Sequence, residues 1–315
     1  MPPQVRTTRA LVLGFALSLF PVLPAFADTA VQNQVSVYSG PNAVGYLQPL
    51  ANAFGAALNS SFGYSAFIPR ASFHISLEAP VMGVIFEDED KTFMATPENG
   101  FTPDDPQSVP TVVGDGTAVT VSGGGGAQFA FPGGLDLNSF GLVVPQLRIG
   151  AIMGTEALVR WIAFDQSDSD VGKIDLFGIG GRHSLSQYMG EKPLLDLAVG
   201  AMWQRVTVGD NGQGGDFVNT KAMSISLQAS KRAPLGFLTF EPYAGVAWES
   251  FDADISYEDT NGDLQDISLD GGNDMRFTVG AGFNFLIGHL WADYNFADTN
   301  NFSFGLALGN VGHAE

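Results

Sequence analysis

Residues 275–287 read Met-Arg-Phe-Thr-Val-Gly-Ala-Gly-Phe-Asn-Phe-Leu-Ile. Met275, Phe277, Val279, Ala281, Phe283, Phe285 and Ile287 share one face of an extended chain, while Arg276, Thr278, Gly280, Gly282 and Asn284 share the other, because side chains on a β-strand alternate with a period of two. One face is suited to hydrocarbon. The second carries small or weakly polar groups, where a solvated sandwich face would carry Lys, Glu and Arg in quantity. It reads as an enclosed face.

The two segments that follow repeat the pattern. Leu290, Ala292, Tyr294 and Phe296 oppose Trp291, Asp293 and Asn295, and Phe302, Phe304, Leu306 and Leu308 oppose Ser303, Gly305 and Ala307. Working outward, comparable segments span residues 71–86, 141–150, 155–163, 172–183, 194–208, 217–232, 237–251, 275–287, 289–297 and 302–309, parted by Gly, Asp, Asn and Pro clusters. The expectation is an all-β protein: an antiparallel transmembrane β-barrel of about ten strands with a short N-terminal helix. Connection lengths support it. Residues 87–140, 164–171, 209–216, 252–274 and 298–301 alternate with the shorter 151–154, 184–193, 233–236 and Gly288, as external loops alternate with periplasmic turns in outer-membrane barrels. Ten strands leave little free bore, since about eight already fill with side chains.

Ahead of the barrel, residues 1–27 carry Arg6 and Arg9, an apolar run from Ala10 to Leu23, and a close on Ala25-Phe26-Ala27. That is the layout of a secretory signal peptide, too short and too Pro-interrupted for a spanning helix. Residues 28–70 then form an N-terminal segment whose Val44, Leu47, Leu50, Ala51, Phe54 and Leu58 follow a helical period, expected to plug or cap the barrel from the periplasmic side. Residues 71–315 form the barrel, with 87–140 as a long first loop, read either as an external lid or inward constriction or as a solvated loop.

Composition removes several classes of function. Among 315 residues, 14 Lys and Arg face 33 Asp and Glu, a net charge of −19, so no basic surface exists for nucleic acid. No Cys occurs, which excludes disulfides, thiolate nucleophiles and cysteine zinc sites, and four His are few for an imidazole metal cluster. No cofactor is expected.

Several segments resemble a known group. Gly45-Tyr46-Leu47-Gln48-Pro49-Leu50-Ala51-Asn52-Ala53-Phe54-Gly55 with Leu58-Asn59-Ser60, Pro145-Gln146 with Gly150 and Gly154-Thr155, Arg160, Gly178-Ile179-Gly180-Gly181-Arg182-His183-Ser184, and the ending Tyr294 to Gly305 are similar to a family of bacterial envelope proteins of unknown function. The resemblance implies an outer-membrane barrel, similar in layout to the long-chain fatty-acid transporter group, with an N-terminal hatch segment inside. The Asn-Pro-Ala segment of that group is missing here.

On this register the inward face carries Gln146, Arg148, Glu156, Arg160, Asp196, Gln204, Glu241, Glu249, Arg276, Asp293 and Asn295. These are the candidate lumen-lining residues, read as a paired interior network or as charges selecting solute along a path. Arg182-His183-Ser184-Leu185-Ser186 invites comparison with a lipid-hydrolysing His/Ser pair, although a His beside a Gly-rich turn is more often a hydrogen-bonding turn residue. Asp259, Asn261, Asp263 and Asp270 fall at calcium-loop offsets, but Gly262 is misplaced for that motif, leaving a loose ion site or a solvated acidic loop. Trp161, Trp203, Trp248 and Trp291 are candidates for interfacial belts. The reading as a whole is a bacterial outer-membrane barrel, without covalent chemistry, that passively passes or binds small solutes, hydrophobic ones among them. A structural or adhesive envelope barrel and a lipid-modifying enzyme are the alternatives. The expected partners are outer-membrane lipid and lipopolysaccharide, a small-molecule solute and the outer-membrane assembly machinery.

Overall fold

A computed structural model describes residues 29–38, 40–98, 100–166, 172–190, 193–209, 215–285 and 287–310. The segment read as a signal peptide lies outside the described residues. Two helices, α1 (Thr29–Val35) and α2 (Pro41–Leu58), precede β1 (His74–Ile85). The next connection carries β2 (Thr92–Met94), β3 (Ser108–Pro110), β4 (Val119–Gly123) and β5 (Ala127–Phe131). Then come β6 (Ser139–Val143), β7 (Gln146–Ile152), β8 (Thr155–Gln166), β9 (Gly172–Ser184), β10 (Asp196–Val208), β11 (Val218–Ser230), β12 (Ala233–Leu235), β13 (Leu238–Glu258), β14 (Leu264–Asp270), β15 (Met275–Phe285), β16 (Gly288–Phe296) and β17 (Asn301–Asn310).

Ten of these strands close a ring. The antiparallel order β11-β10-β9-β8-β7-β1-β17-β16-β15-β13 is sealed by β13 pairing back to β11 from Val218↔Ile255 to Ser230↔Tyr243. The all-β antiparallel barrel with a short N-terminal helix is the observed fold. Its outer face follows the alternation in the sequence: Met275, Phe277, Val279 and Phe283 are exposed while Arg276 is buried. On β11 the exposed apolar run Met223, Ile225 and Leu227 is bracketed by exposed Lys221 and Lys231. Ten residues of tilted strand correspond to about 25 Å of height, the apolar band of an outer-membrane barrel. Trp161, Trp203 and Trp248 belong to this outer face. Trp291 does not. It faces the lumen, stacks on Tyr64 at 4.6 Å and donates to Ser61 Oγ at 3.2 Å, because it shares the parity of Asp293 and Asn295.

The N-terminal segment corrects the expected geometry. α2 does not approach from the end with short turns; its N-terminus lies at the long-loop end, here termed the outer end. There Asn42 binds Glu98 Oε2 at 2.5 Å and Thr96 O at 3.0 Å, Gln48 donates to Asp270 O at 2.7 Å, and Thr260 N donates to Ser36 O at 3.1 Å. From Leu58 the chain continues through the lumen. Ser65 reaches Glu241 near the start of β13, and Arg70 O accepts from Gly154 N in a short turn. The helix is buried on nearly every side, as a helix apolar all round must be. Glycine permits the approach: a Cβ on Gly55 would stand 2.7 Å from the Phe251 ring, and one on Gly45 2.5 Å from Phe93.

The long first loop is folded. β2 pairs with β3 and β4 with β5, and Phe101, Val109, Val112, Val121 and Phe131 join Tyr38, Tyr46 and α2 in one apolar cluster. Val112 N donates to Tyr46 O at 2.9 Å, and Tyr46 Oη bonds Gly133 O at 3.0 Å. Residues 87–140 therefore lie over the plug at the outer end.

Candidate functional site

The inward faces change character at one height. On β1 the sequence of inward groups is His74, Ser76, Glu78, then Met82 and Val84; on β9, read from the other end, Ile174 and Leu176 give way to Arg182 and Ser184. On β13, Glu241 and Glu249 precede Phe251, Ala253 and Ile255. The outer half of the lumen is thus an apolar sleeve around Leu47, Leu50 and Phe54 of α2. The inner half is polar.

In that inner half, the plug backbone and the wall are joined by arginine. Arg160, wholly buried, donates to Leu58 O at 2.9 Å, Ser60 O at 2.8 Å and Ser61 O at 3.1 Å, and its Nε to Gln146 Oε1 at 2.8 Å. Arg276 Nη1 donates to Asn59 O at 2.6 Å. Arg148 Nη2 reaches Phe62 O at 3.0 Å, and Arg182 Nη2 reaches Ser65 O. Four wall guanidinium groups therefore donate to the backbone carbonyls of residues 58–62 and 65. Helix α2 ends here without a glycine cap, so its last carbonyls and the negative end of its dipole meet Arg160 and Arg276 instead. Arg160 also lies over Phe62 at 4.5 Å and Arg148 over Tyr64 at 4.9 Å.

The carboxylates complete the network. Glu78 accepts from Arg148 Nε at 2.6 Å, Gln146 at 2.5 Å, Ser76 at 2.9 Å and Tyr64 Oη at 3.1 Å. Glu156 accepts from Arg148, from Arg182 at 2.7 Å and from His74 Nε2 at 3.2 Å. Glu241 holds Ser65 and Ser230, each at 2.6 Å, and Asp293 holds Tyr243 at 2.8 Å, Asn295 at 2.8 Å and Ser303 at 2.5 Å. Gln146, Arg148, Glu156, Arg160, Glu241, Arg276 and Asp293 all point inward and are buried. Glu78, Arg182 and His74 belong with them. Their parity was available in the sequence, where Glu78 alternates with Leu77 and Ala79, and Arg182 follows Gly178 and Gly180 at intervals of two.

The other candidates do not assemble. Asp259 Oδ1 accepts the amides of Asn261 at 2.8 Å and Asp263 at 3.0 Å, a turn whose amides hold the Asp259 carboxyl below its usual range. Asp270 lies at the far end of β14, paired with Asp252, so the calcium-like set is not brought together. His183 bonds Thr155 at 2.8 Å and Tyr188 at 3.0 Å, whereas Ser186 is engaged with the backbone of Leu197.

One part of the wall is incomplete. β7 pairs with β8 from Gln146↔Arg160 downward, and Trp161 N reaches Pro145 O at 3.4 Å. Beyond the Val144–Pro145 step, β6 pairs among the described residues only with β1, so residues 162–166 of β8 have β9 alone as partner. Proline removes the amide that would carry the ladder on. Beside the break, inward-facing Phe164 is 41% exposed, whereas Ile174, Leu176 and Val206 at similar height are fully enclosed.

No curated protein matches the chain in sequence. Solved structures that resemble it are bacterial barrels. The outer membrane protease OmpT from Escherichia coli shares 7% identity over 80% of this chain and 99% of its own, with a TM-score of 0.30. The toluene transporter TbuX from Ralstonia pickettii shares 12% over 82% and 98%, with a TM-score of 0.28. The transport unit of the autotransporter AIDA-I from Escherichia coli shares 9% over 84% and 97%, with a TM-score of 0.31. A sequence family matches residues 8–310, nearly the whole chain, and the protein accordingly belongs to the family of unknown function DUF6588.

Proposed function

We propose that this protein resides in the bacterial outer membrane and passes or holds small apolar solutes, using the apolar outer lumen and the break between β6 and β8. The observation that supports the reading is Phe164, on the inward parity of β8 and 41% exposed beside an interrupted ladder. A direct axial route is disfavoured by the plug, since residues 58–65 are hydrogen-bonded to the wall throughout the inner half.

The test exploits the absence of cysteine. Continuing the register that pairs Gln146 with Arg160 sets Leu142 opposite Phe164. In cells producing L142C/F164C, a reversible bis-methanethiosulfonate linker should cut uptake of N-phenyl-1-naphthylamine severalfold, and reductant should restore it. Equal uptake with the linked, unlinked and absent protein would sink the reading. A structural or adhesive barrel would then stand, favoured by how tightly the plug meets the wall around Arg182 and Arg276, where the cavity between them is about 40 Å³.

A further inference from the structure

Glu249 is unlike every other carboxylate of the inner half. Glu78, Glu156, Glu241 and Asp293 each accept three or more hydrogen bonds. The Glu249 side chain is fully enclosed, yet neither oxygen has a well-formed hydrogen bond; Arg276 Nη1 stands 3.6 Å from Oε2, and the side chain of Asn273 lies close by. Two further buried oxygens are unpartnered at the same place. Ser224 is the direct cross-strand partner of Glu249, and its Oγ is free; Asn59 binds Ser250 O through Nδ2 and Arg276 through its carbonyl, and its Oδ1 is free. Buried polar atoms in native proteins are satisfied by protein, water or an ion, so a cluster of buried oxygens without protein partners is a place built to hold water or an ion.

The sign of that species follows from the charge balance. Glu78, Glu156, Glu241, Glu249 and Asp293 face Arg148, Arg160, Arg182 and Arg276, which with a neutral His74 beside Glu156 leaves one negative charge in excess among the buried groups of the inner half. Three of the orphaned oxygens are acceptors only and Ser224 Oγ can accept as well as donate, against one orphaned guanidinium donor, Arg276 Nε. We infer that Glu249, Ser224 and Asn59 hold one alkali-metal cation between the plug and the wall. One carboxylate with two neutral oxygens is a hard, weakly charged ligand set, suited to Na⁺ or K⁺ rather than to zinc or a thiophilic metal. Arg276 spends Nη1 on Asn59 O and stands 3.6 Å from Oε2, so beside Arg276 and Asn273 the carboxylate keeps lone pairs for the ion. Because Asn59 belongs to the plug and the other two to the wall, the cation is a fifth fastening beside the four arginines. This inference does not depend on solute passage.

The experiment uses the full-length protein refolded in detergent with NaCl, KCl or choline chloride at one ionic strength, and follows unfolding by heat-dependent gel mobility and near-ultraviolet dichroism. A ligand that binds only the folded state raises the midpoint in a saturable way. Na⁺ or K⁺ should raise it by several degrees over choline. In Ser224→Ala, which keeps every ion pair, the half-saturating concentration should rise about tenfold; in Glu249→Gln the salt-specific shift should vanish. Identical midpoints in all three salts, or a shift that survives Glu249→Gln, would overturn the site. So would a Glu249→Gln protein that is more stable than the parent in choline while the parent ignores alkali ions, since the missing positive charge would then be a proton on Glu249. If Glu249→Gln does not refold, the Ser224→Ala titration decides alone.

Discussion

The outer and inner halves of the lumen hold the same plug by opposite means. Around α2 the wall offers Met82, Val84, Leu142, Ile174, Leu176 and Val206, and the contact is chiefly apolar packing, with scattered hydrogen bonds such as Asn301 Nδ2 to Ala56 O at 3.2 Å and Gln48 to Asp270 O at 2.7 Å. Around residues 58–65 the wall reaches the plug's backbone, through Arg148, Arg160, Arg182 and Arg276. The difference follows from what the plug exposes. A helix satisfies its own amides and carbonyls, so only an apolar sleeve is needed, whereas an irregular segment leaves carbonyls that must find donors in an enclosed space. Apolar packing tolerates small shape changes; a hydrogen-bonded charge network does not.

The largest effect should come from breaking a charge in the inner half. Glu156→Ala leaves Arg148 and Arg182 without their shared carboxylate, and loss of one partner of a buried ion pair costs about 3–5 kcal/mol. Equilibrium unfolding in urea from lipid vesicles should show it as a lowered midpoint; an unchanged midpoint would mean that solvent reaches this network and the contrast between halves is false.

Next, Leu50→Ala in the sleeve removes a fully buried side chain and should cost about 2–5 kcal/mol by the same measurement. The conservative pair sharpens the comparison. Leu50→Met should cost less than about 1.5 kcal/mol, because volume is conserved. Arg160→Lys should cost more than Leu50→Met, roughly 2–3 kcal/mol, since a single ammonium cannot span Gln146, Leu58, Ser60 and Ser61 at once. Equal costs for the two swaps would show that the inner half repacks as freely as the outer.

The smallest effect lies outside both halves, at the β13–β14 turn. The amides of Asp263 and Asn261 depress the Asp259 carboxyl below its ordinary 3.8. A carboxyl depressed in the folded state contributes fully above its unfolded value and loses that contribution as pH falls through the lower folded value. Amide exchange at Asn261 and Asp263 should therefore quicken, relative to the intrinsic rate, as pH drops below about 3.8, and Asp259→Ala should remove the pH dependence.

Much of this was legible beforehand. The alternation of Met275 to Phe285 placed one strand face outward and the other inward, and the same parity placed Gln146, Arg148, Glu156, Arg160, Glu241, Arg276 and Asp293 on the inner face. Trp291 shows the rule's reach: its parity with Asp293 sets it inside, against the expectation of an interfacial Trp. The direction of the plug was not legible. A helical period at residues 44–58 says which face is apolar and nothing about which mouth of a barrel it enters.

By itself the sequence determined a closed antiparallel barrel, its inward and outward residues and the presence of a helix ahead of it. These follow from the two-residue period of a strand and the 3.6-residue period of a helix, which are local properties of the backbone. Only the tertiary structure decided that residues 29–70 run from the outer mouth inward, that four arginines hold carbonyls of the plug, and that the wall is broken above Pro145. Each of these joins groups far apart in the chain, such as Arg160 with Leu58 and Arg276 with Asn59, and backbone acceptors look the same at every residue until the fold brings a donor to them.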